Sequence, residues 1–140
     1  MTTKNYLSQI DRWDKMIQNK LSEICRLRAM ATSTSSLNGT ERVQTSINID
    51  KLSDIVASIV DLENETNQLV NNLVEKRKHI VCQIDSMDDV DLYNILAMRY
   101  INKATFKEIA SNTHWSIRKV FSMHGKALEE FEKRYGTEYL

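Results

Sequence analysis

Large apolar residues recur at Tyr6, Ile10, Trp13, Ile17, Leu21, Ile24 and Leu27, in alternating steps of four and three. That spacing draws one stripe along an α-helix and does not fit a strand, whose faces alternate with a period of two. Between the stripe's members stand Asp11, Arg12, Asp14, Lys15, Gln18, Lys20 and Arg28, a solvated face of mixed sign. So narrow a stripe is a seam that a second helix must cover. A second stripe follows Asp50, a good N-cap, through Leu52, Ile55, Ile59, Leu62, Thr66, Leu69 and Leu73, with Ile80, Ile84 and Met87 further on. With no proline and three glycines in the chain, little interrupts either helix. The expected fold class is all-α.

Between the stripes the small polar residues of Thr32–Thr40, with an Asn38-Gly39 turn signal, predict a long loop near 32–48. The two helices, ~40 Å and ~55 Å long at the rise of an α-helix, should fold back as an antiparallel hairpin resembling a coiled coil. A turn between Ala31 and Asp50 would set Asn5 near Lys76 and leave about three turns of the second helix overhanging. Its surplus apolar residues, Ile80, Val81 and Ile84, must then cover the C-terminal segment or a second chain. The expected division is a hairpin over 1–87 and a smaller unit over 88–140. Cys25 and Cys82 have no CxxC spacing and read as small buried residues of a reducing compartment. With no apolar run of membrane-spanning length and no apolar signal core after Met1, the expectation is a cytoplasmic protein away from membranes.

Beyond Met87 the pattern shortens. It predicts a helix near Asp91–Tyr100, a break at Asn102-Lys103-Ala104, a helix near Phe106–Ser111 and a last helix from Ile117 to about Tyr135, the size of a DNA-reading unit. Thr105-Phe106-Lys107-Glu108 is a capping box. Asn112 can end that helix in a left-handed conformation, Thr113-His114-Trp115 make the turn, Trp115 plugs the space between the helices, and Ser116 caps the last helix. There Val120, Met123, Ala127, Leu128 and Phe131 form the inward stripe. Ile117, Arg118, Phe121, Ser122 and Gly125 face outward, flanked by Lys119, His124 and Lys126.

The formal net charge is zero, which argues against a nucleic-acid partner only if the charge is evenly spread. It is not. From Arg99 to Leu128 the charged residues are Arg99, Lys103, Lys107, Arg118, Lys119 and Lys126 against Glu108, whereas from Asp50 to Asp91 acidic residues outnumber basic ones by ten to four. The first segment is the footprint expected for phosphate contact, and the second should hold a duplex to one side. The expected DNA-binding residues are Ile117, Arg118, Lys119, Phe121, Ser122, Lys126, Lys107 and Lys103. Arg118 suits guanine, and Ile117 or Phe121 suits thymine methyls.

The stretches Leu96-Ala97-Met98-Arg99-Tyr100, Thr105-Phe106-Lys107-Glu108-Ile109-Ala110, Ser116 to Val120 and Ala127-Leu128 resemble region 4 of bacterial sigma factors, with its L-x-x-R-Y, T-x-x-E-I-A and S-x-x-x-V helices. The whole chain, with its Tyr-Leu start, its Glu23-Ile24-Cys25-Arg26-Leu27-Arg28 helix and its Ser/Thr loop, is similar to small proteins of Gram-positive bacteriophages of the ArpU and RinA late-transcription type. The resemblance implies a helix-turn-helix regulator that binds promoters and contacts RNA polymerase. The glycine and aliphatic residue usual in the sigma turn are His114 and Trp115 here, and positions commonly basic in the recognition helix are Ile117 and Phe121, so base preference does not carry over.

His79, His114 and His124 form no metal-ligand spacing with cysteines or paired carboxylates, and the sequence has no Gly-rich phosphate loop or nucleophile elbow. The expectation is therefore a protein without enzymatic activity, metal or cofactor, whose partner is double-stranded DNA. Two other readings stay open: a helical module that binds polymerase or another regulator, and a phage DNA-packaging component of the small terminase kind. The narrow seams permit either a monomeric hairpin or a homodimer through the hairpin.

Overall fold

A computed structural model describes residues 1–37 and 45–140, which form helices and turns without strands among the described residues. The elements are α1 (Thr3–Leu37), α2 (Thr45–Asp85), α3 (Val90–Leu96), a π-helical continuation (Ala97–Ile101), α4 (Phe106–Thr113), α5 (Ile117–Tyr135) and a single 3-10 turn (Gly136–Glu138). The chain is all-α. No helix among the described residues is long and apolar enough to cross a membrane.

The predicted loop near 32–48 is shorter than expected, because α1 continues to Leu37 and α2 already begins at Thr45. Small polar residues can stay helical when the side chain returns a bond to the preceding turn: the Thr32 hydroxyl donates to the Arg28 carbonyl at 2.9 Å. Asp50 accordingly lies inside α2 instead of capping it. The Asn38-Gly39 turn lies outside the described residues.

Packing divides the chain into two units, residues 16–74 and a second made of residues 1–15 with 75–140. This division differs from the cut after residue 87 drawn from the apolar pattern. The start of α1 and the end of α2 contribute Leu7, Ile10, Ile80 and Ile84, each 0–1 % exposed, to one core with Leu92, Ile95, Leu96, Ile109, Val120, Ala127 and Phe131. Leu7 is a core residue that the four-and-three stripe omits. Within this unit α1 and α2 are antiparallel, as expected, but in a different register: the Tyr6 hydroxyl donates to Gln83 Oε1 at 2.9 Å and Arg77 Nε donates to Asp14 at 2.5 Å. With Tyr6 beside Gln83 and α2 ending at Asp85, the three-turn overhang disappears. The expected coverage of the C-terminal helices by Ile80 and Ile84 holds.

The C-terminus is tied into the same unit through polar groups. Thr3 Oγ1 donates to Glu132 at 2.9 Å and accepts from the Tyr139 hydroxyl at 3.0 Å, while Gln83 Nε2 donates to Glu138 at 2.8 Å. The Tyr6 and Tyr139 rings stack with centroids 4.1 Å apart. Burying these amides and hydroxyls is tolerable because each has a partner.

In the unit of residues 16–74, the two helices are joined by the Arg28–Glu63 ion pair at 2.6 Å. Ile24, Ile59 and Thr66 are its buried side chains among the described residues, and the Thr66 hydroxyl is satisfied by the Leu62 carbonyl at 2.7 Å. Leu21, Ile55, Leu62 and Leu69, expected in the seam, are about half exposed, because two helices without a third element cover only part of an apolar face. Cys25 and Cys82 are exposed free thiols, correcting the expectation of burial: each stands off the buried arc of its helix.

Candidate nucleic-acid interface

The candidate site is assembled by local chemistry at three corners. Asp89 caps α3 by accepting from the Asp91 and Leu92 amides at 2.9 and 3.3 Å. Thr105 and Glu108 close both halves of the capping box, the Glu108 amide donating to the Thr105 hydroxyl at 3.2 Å and the Thr105 amide to the Glu108 carboxylate at 3.3 Å. Ser116 caps α5 by accepting from the Lys119 amide at 3.1 Å. Each cap satisfies amides that a helix start leaves without an intrahelical partner, so each fixes where its helix begins.

Between α4 and α5 the left-handed residue is His114, at φ 58°, and not Asn112, which remains within α4. The helix runs on to Thr113, whose hydroxyl donates to the Ile109 carbonyl at 2.6 Å, so the reversal falls at His114, beyond the expected Asn112. Histidine tolerates this conformation better than most residues other than glycine and asparagine. Trp115 is partly buried against the core, as expected of a plug, and the Lys119 ammonium lies 4.8 Å from its ring centroid.

Val120, Ala127 and Phe131 are fully buried on α5, with Met123 and Leu128 partly so. Ile117, Arg118, Lys119, Phe121, Ser122 and Lys126 are all exposed on the same helix, and Lys107 is exposed on α4. Arg118, Lys107 and Lys126 form no ion pair among the described residues. Lys103 differs: its ammonium bridges Asp14 at 3.2 Å and Asp11 at 3.4 Å. Partial burial opposes the charge on Lys103, but the two aspartates outweigh it and raise its pKa above the usual lysine value. Lys103 is thus an internally neutralised cation in a left-handed corner, φ 59°, with less charge left for an outside anion.

Phe121 is exposed by 53 % but not isolated: its ring meets Phe106 with centroids 4.7 Å apart, and the Arg99 guanidinium covers Phe106 at 4.3 Å. Arg99 also donates to the Ala104 carbonyl at 3.0 Å. This short stack of Arg99, Phe106 and Phe121 braces the start of α4 against the first turns of α5. In the sequence Arg99 shows only as one of the basic residues and as part of the L-x-x-R-Y stretch; its contact with Phe106 is tertiary. Lys4 was missed altogether; it lines a cleft of about 280 Å³ with Ser8, Asp11, Arg99, Tyr100 and Lys103, and its distance along the chain left no local signal.

His124, expected on the flank of the outward face, is buried at 7 % exposure and meets the Tyr100 hydroxyl through Nε2 at 2.9 Å. The segment carrying Tyr100 is π-helical, with the Asn102 amide bonded to the Ala97 carbonyl at 2.9 Å. A π turn is wider than an α turn, and here Tyr100 projects into the core at 6 % exposure. Burial, helped by Arg99 and Lys4, lowers the His124 pKa to about 4, and burial raises Tyr100 to about 12. Both are therefore neutral near pH 7, and the hydrogen bond they share joins two uncharged groups.

Gly125 has open space where a Cβ would stand, so no contact within the chain demands glycine there. Among the described residues, no group of three or more His, Cys, Asp or Glu is placed to hold a metal ion.

No curated protein and no solved structure matches the chain. A family model described as "Protein of unknown function (DUF1492)" matches residues 31–132, a span that takes in only the end of α1 but all of α2, the capping box of α4 and nearly all of α5. The chain belongs to the DUF1492 family.

Proposed function

We propose that the chain is a sequence-specific DNA-binding regulator of transcription, of phage or prophage kind, that reads the major groove with α5 from Ser116 onward and contacts RNA polymerase. The observation that carries this reading is the exposed face on the first turns of α5, where Ile117, Arg118 and Ser122 stand clear of the core, together with Lys107 and Lys126, exposed cations that form no ion pair among the described residues. The resemblance of the three C-terminal helices to sigma region 4 supports it.

In this reading Arg118 donates to the O6 and N7 acceptors of a guanine, while Ile117 and Phe121 offer apolar surface to thymine methyls. The Phe106 ring braces Phe121, so less side-chain freedom is lost on docking. Lys107 and Lys126 supply the phosphate contacts that set register without reading sequence.

The test is binding to mixed-sequence and promoter duplexes at two salt concentrations. Affinity should fall steeply with salt, as counterions are released from neutralised phosphates. Arg118→Ala should cost about 1–3 kcal/mol at one base position, and Lys126→Ala should weaken all duplexes evenly and reduce the salt slope by about one. A second reading, a protein-binding module on the same fold, is favoured by the 42 % and 53 % exposure of Ile117 and Phe121. It prevails if both cation variants leave DNA affinity untouched while Ile117→Ser and Phe121→Ser abolish a complex with polymerase.

A further inference from the structure

In residues 16–74 an apolar row remains uncovered. Ile55, Leu62 and Leu69 are 50 %, 49 % and 50 % exposed, and they stand at successive seventh positions of α2. On a helical projection they occupy one flank of the buried Ile59 and Thr66, while Glu63, paired with Arg28, occupies the other. The ion pair closes one side of the two-helix groove, and the apolar row opens on the other. A repeat of seven held over three members fits a second helix of the same pitch, into which each side chain inserts as a knob, better than it fits an irregular surface.

The charges beside the row select the partner. Asp54, Asp61 and Glu65 border it on its solvent side and form no ion pair among the described residues. A second α2 laid alongside would bring like charges together. The matching stretch of α1 is basic on balance, with Lys20, Arg26 and Arg28 against Glu23, and Arg26 forms no ion pair among the described residues.

We propose that the Ile55–Leu62–Leu69 row is the interface between two copies of this chain, with the partner's α1 lying along α2 and the two α2 helices on the diagonal of a four-helix bundle. A two-fold axis along the bundle produces this arrangement twice and pairs each acidic α2 with a basic α1. The burial that two helices cannot supply is then completed by an identical pair. This inference does not rest on DNA binding, and its test needs no duplex.

The experiment is sedimentation equilibrium of the full chain over about 1–100 µM. The wild type should be dimeric. Leu62→Glu with Leu69→Glu should raise the dissociation constant by at least ~30-fold, since each change removes apolar burial twice per dimer. Its far-ultraviolet circular dichroism should keep the helical signal. Val90→Glu, at a 68 % exposed apolar position outside the row, should leave the dimer unchanged. Asp54→Lys with Asp61→Lys should weaken association about tenfold at low salt, by setting like charges against the partner's α1. The proposal is overturned by a wild type that stays monomeric at the highest concentration, by rings larger than a dimer, or by unchanged association in the double glutamate variant. Unchanged association of the double lysine variant would overturn the arrangement, because α2 laid against α2 would only exchange repulsion between acids for repulsion between bases.

Discussion

Acid should unseat the Tyr100–His124 pair over a defined interval of pH. The imidazole is 7 % exposed and bonded to a hydroxyl that is itself in the core, and burial holds its pKa at about 4, against 6.5 for a free histidine. Because the folded value lies below the unfolded one, the unfolded chain takes up the proton first. Stability from this site is complete above pH ~6.5, falls as pH drops from there toward ~4, and changes no further below that. A gap of this size corresponds to roughly 3 kcal/mol, a large share of the 5–15 kcal/mol that separates typical folded and unfolded domains. The assay is urea unfolding followed by circular dichroism between about pH 7.5 and 4, for the wild type and for His124→Gln, which keeps a polar group near Tyr100 but does not titrate. Carboxylates act equally in both proteins, so the difference between the two stability curves isolates the histidine. The wild type should lose roughly 3 kcal/mol relative to the variant across the interval. Parallel curves, or an NMR titration of His124 with a midpoint near 6.5, would refute the reasoning.

Lys103→Ala should leave the salt slope of DNA binding unchanged, because Asp11 and Asp14 already hold the ammonium, and should lower stability by less than about 1 kcal/mol in a thermal melt. Thr105→Ala removes one half of the capping box and should cost about 1 kcal/mol in urea unfolding; a loss below a few tenths would show that packing alone places the start of α4.

Much of the C-terminal helix set was legible because its determinants lie within a few residues of one another. The Thr105–Glu108 box and the Ser116 cap join groups three positions apart, and the apolar period of α5 runs unbroken, so the predicted span Ile117–Tyr135 is the observed one. Where a choice depended on a distant segment, the local pattern was silent. His124 sits beside Gly125 and Lys126 and reads as a surface residue until Tyr100 arrives from the π turn to bond it. Lys103 reads as a free cation until α1 brings two aspartates to it. Asn112 has the composition of a left-handed helix end, yet the reversal belongs to His114.

For this chain, sequence alone determined the helical class, the antiparallel pairing of two long helices and the caps that divide the C-terminal third, since helix period and capping are short-range properties of the backbone. Tertiary structure alone decided the register of the pair, the burial of His124 and Leu7, the neutralisation of Lys103 and the exposure of Ile55, Leu62 and Leu69. Each of these depends on which surface arrives from elsewhere in the chain, and a one-dimensional pattern of apolar and polar residues does not record the orientation in which two faces meet.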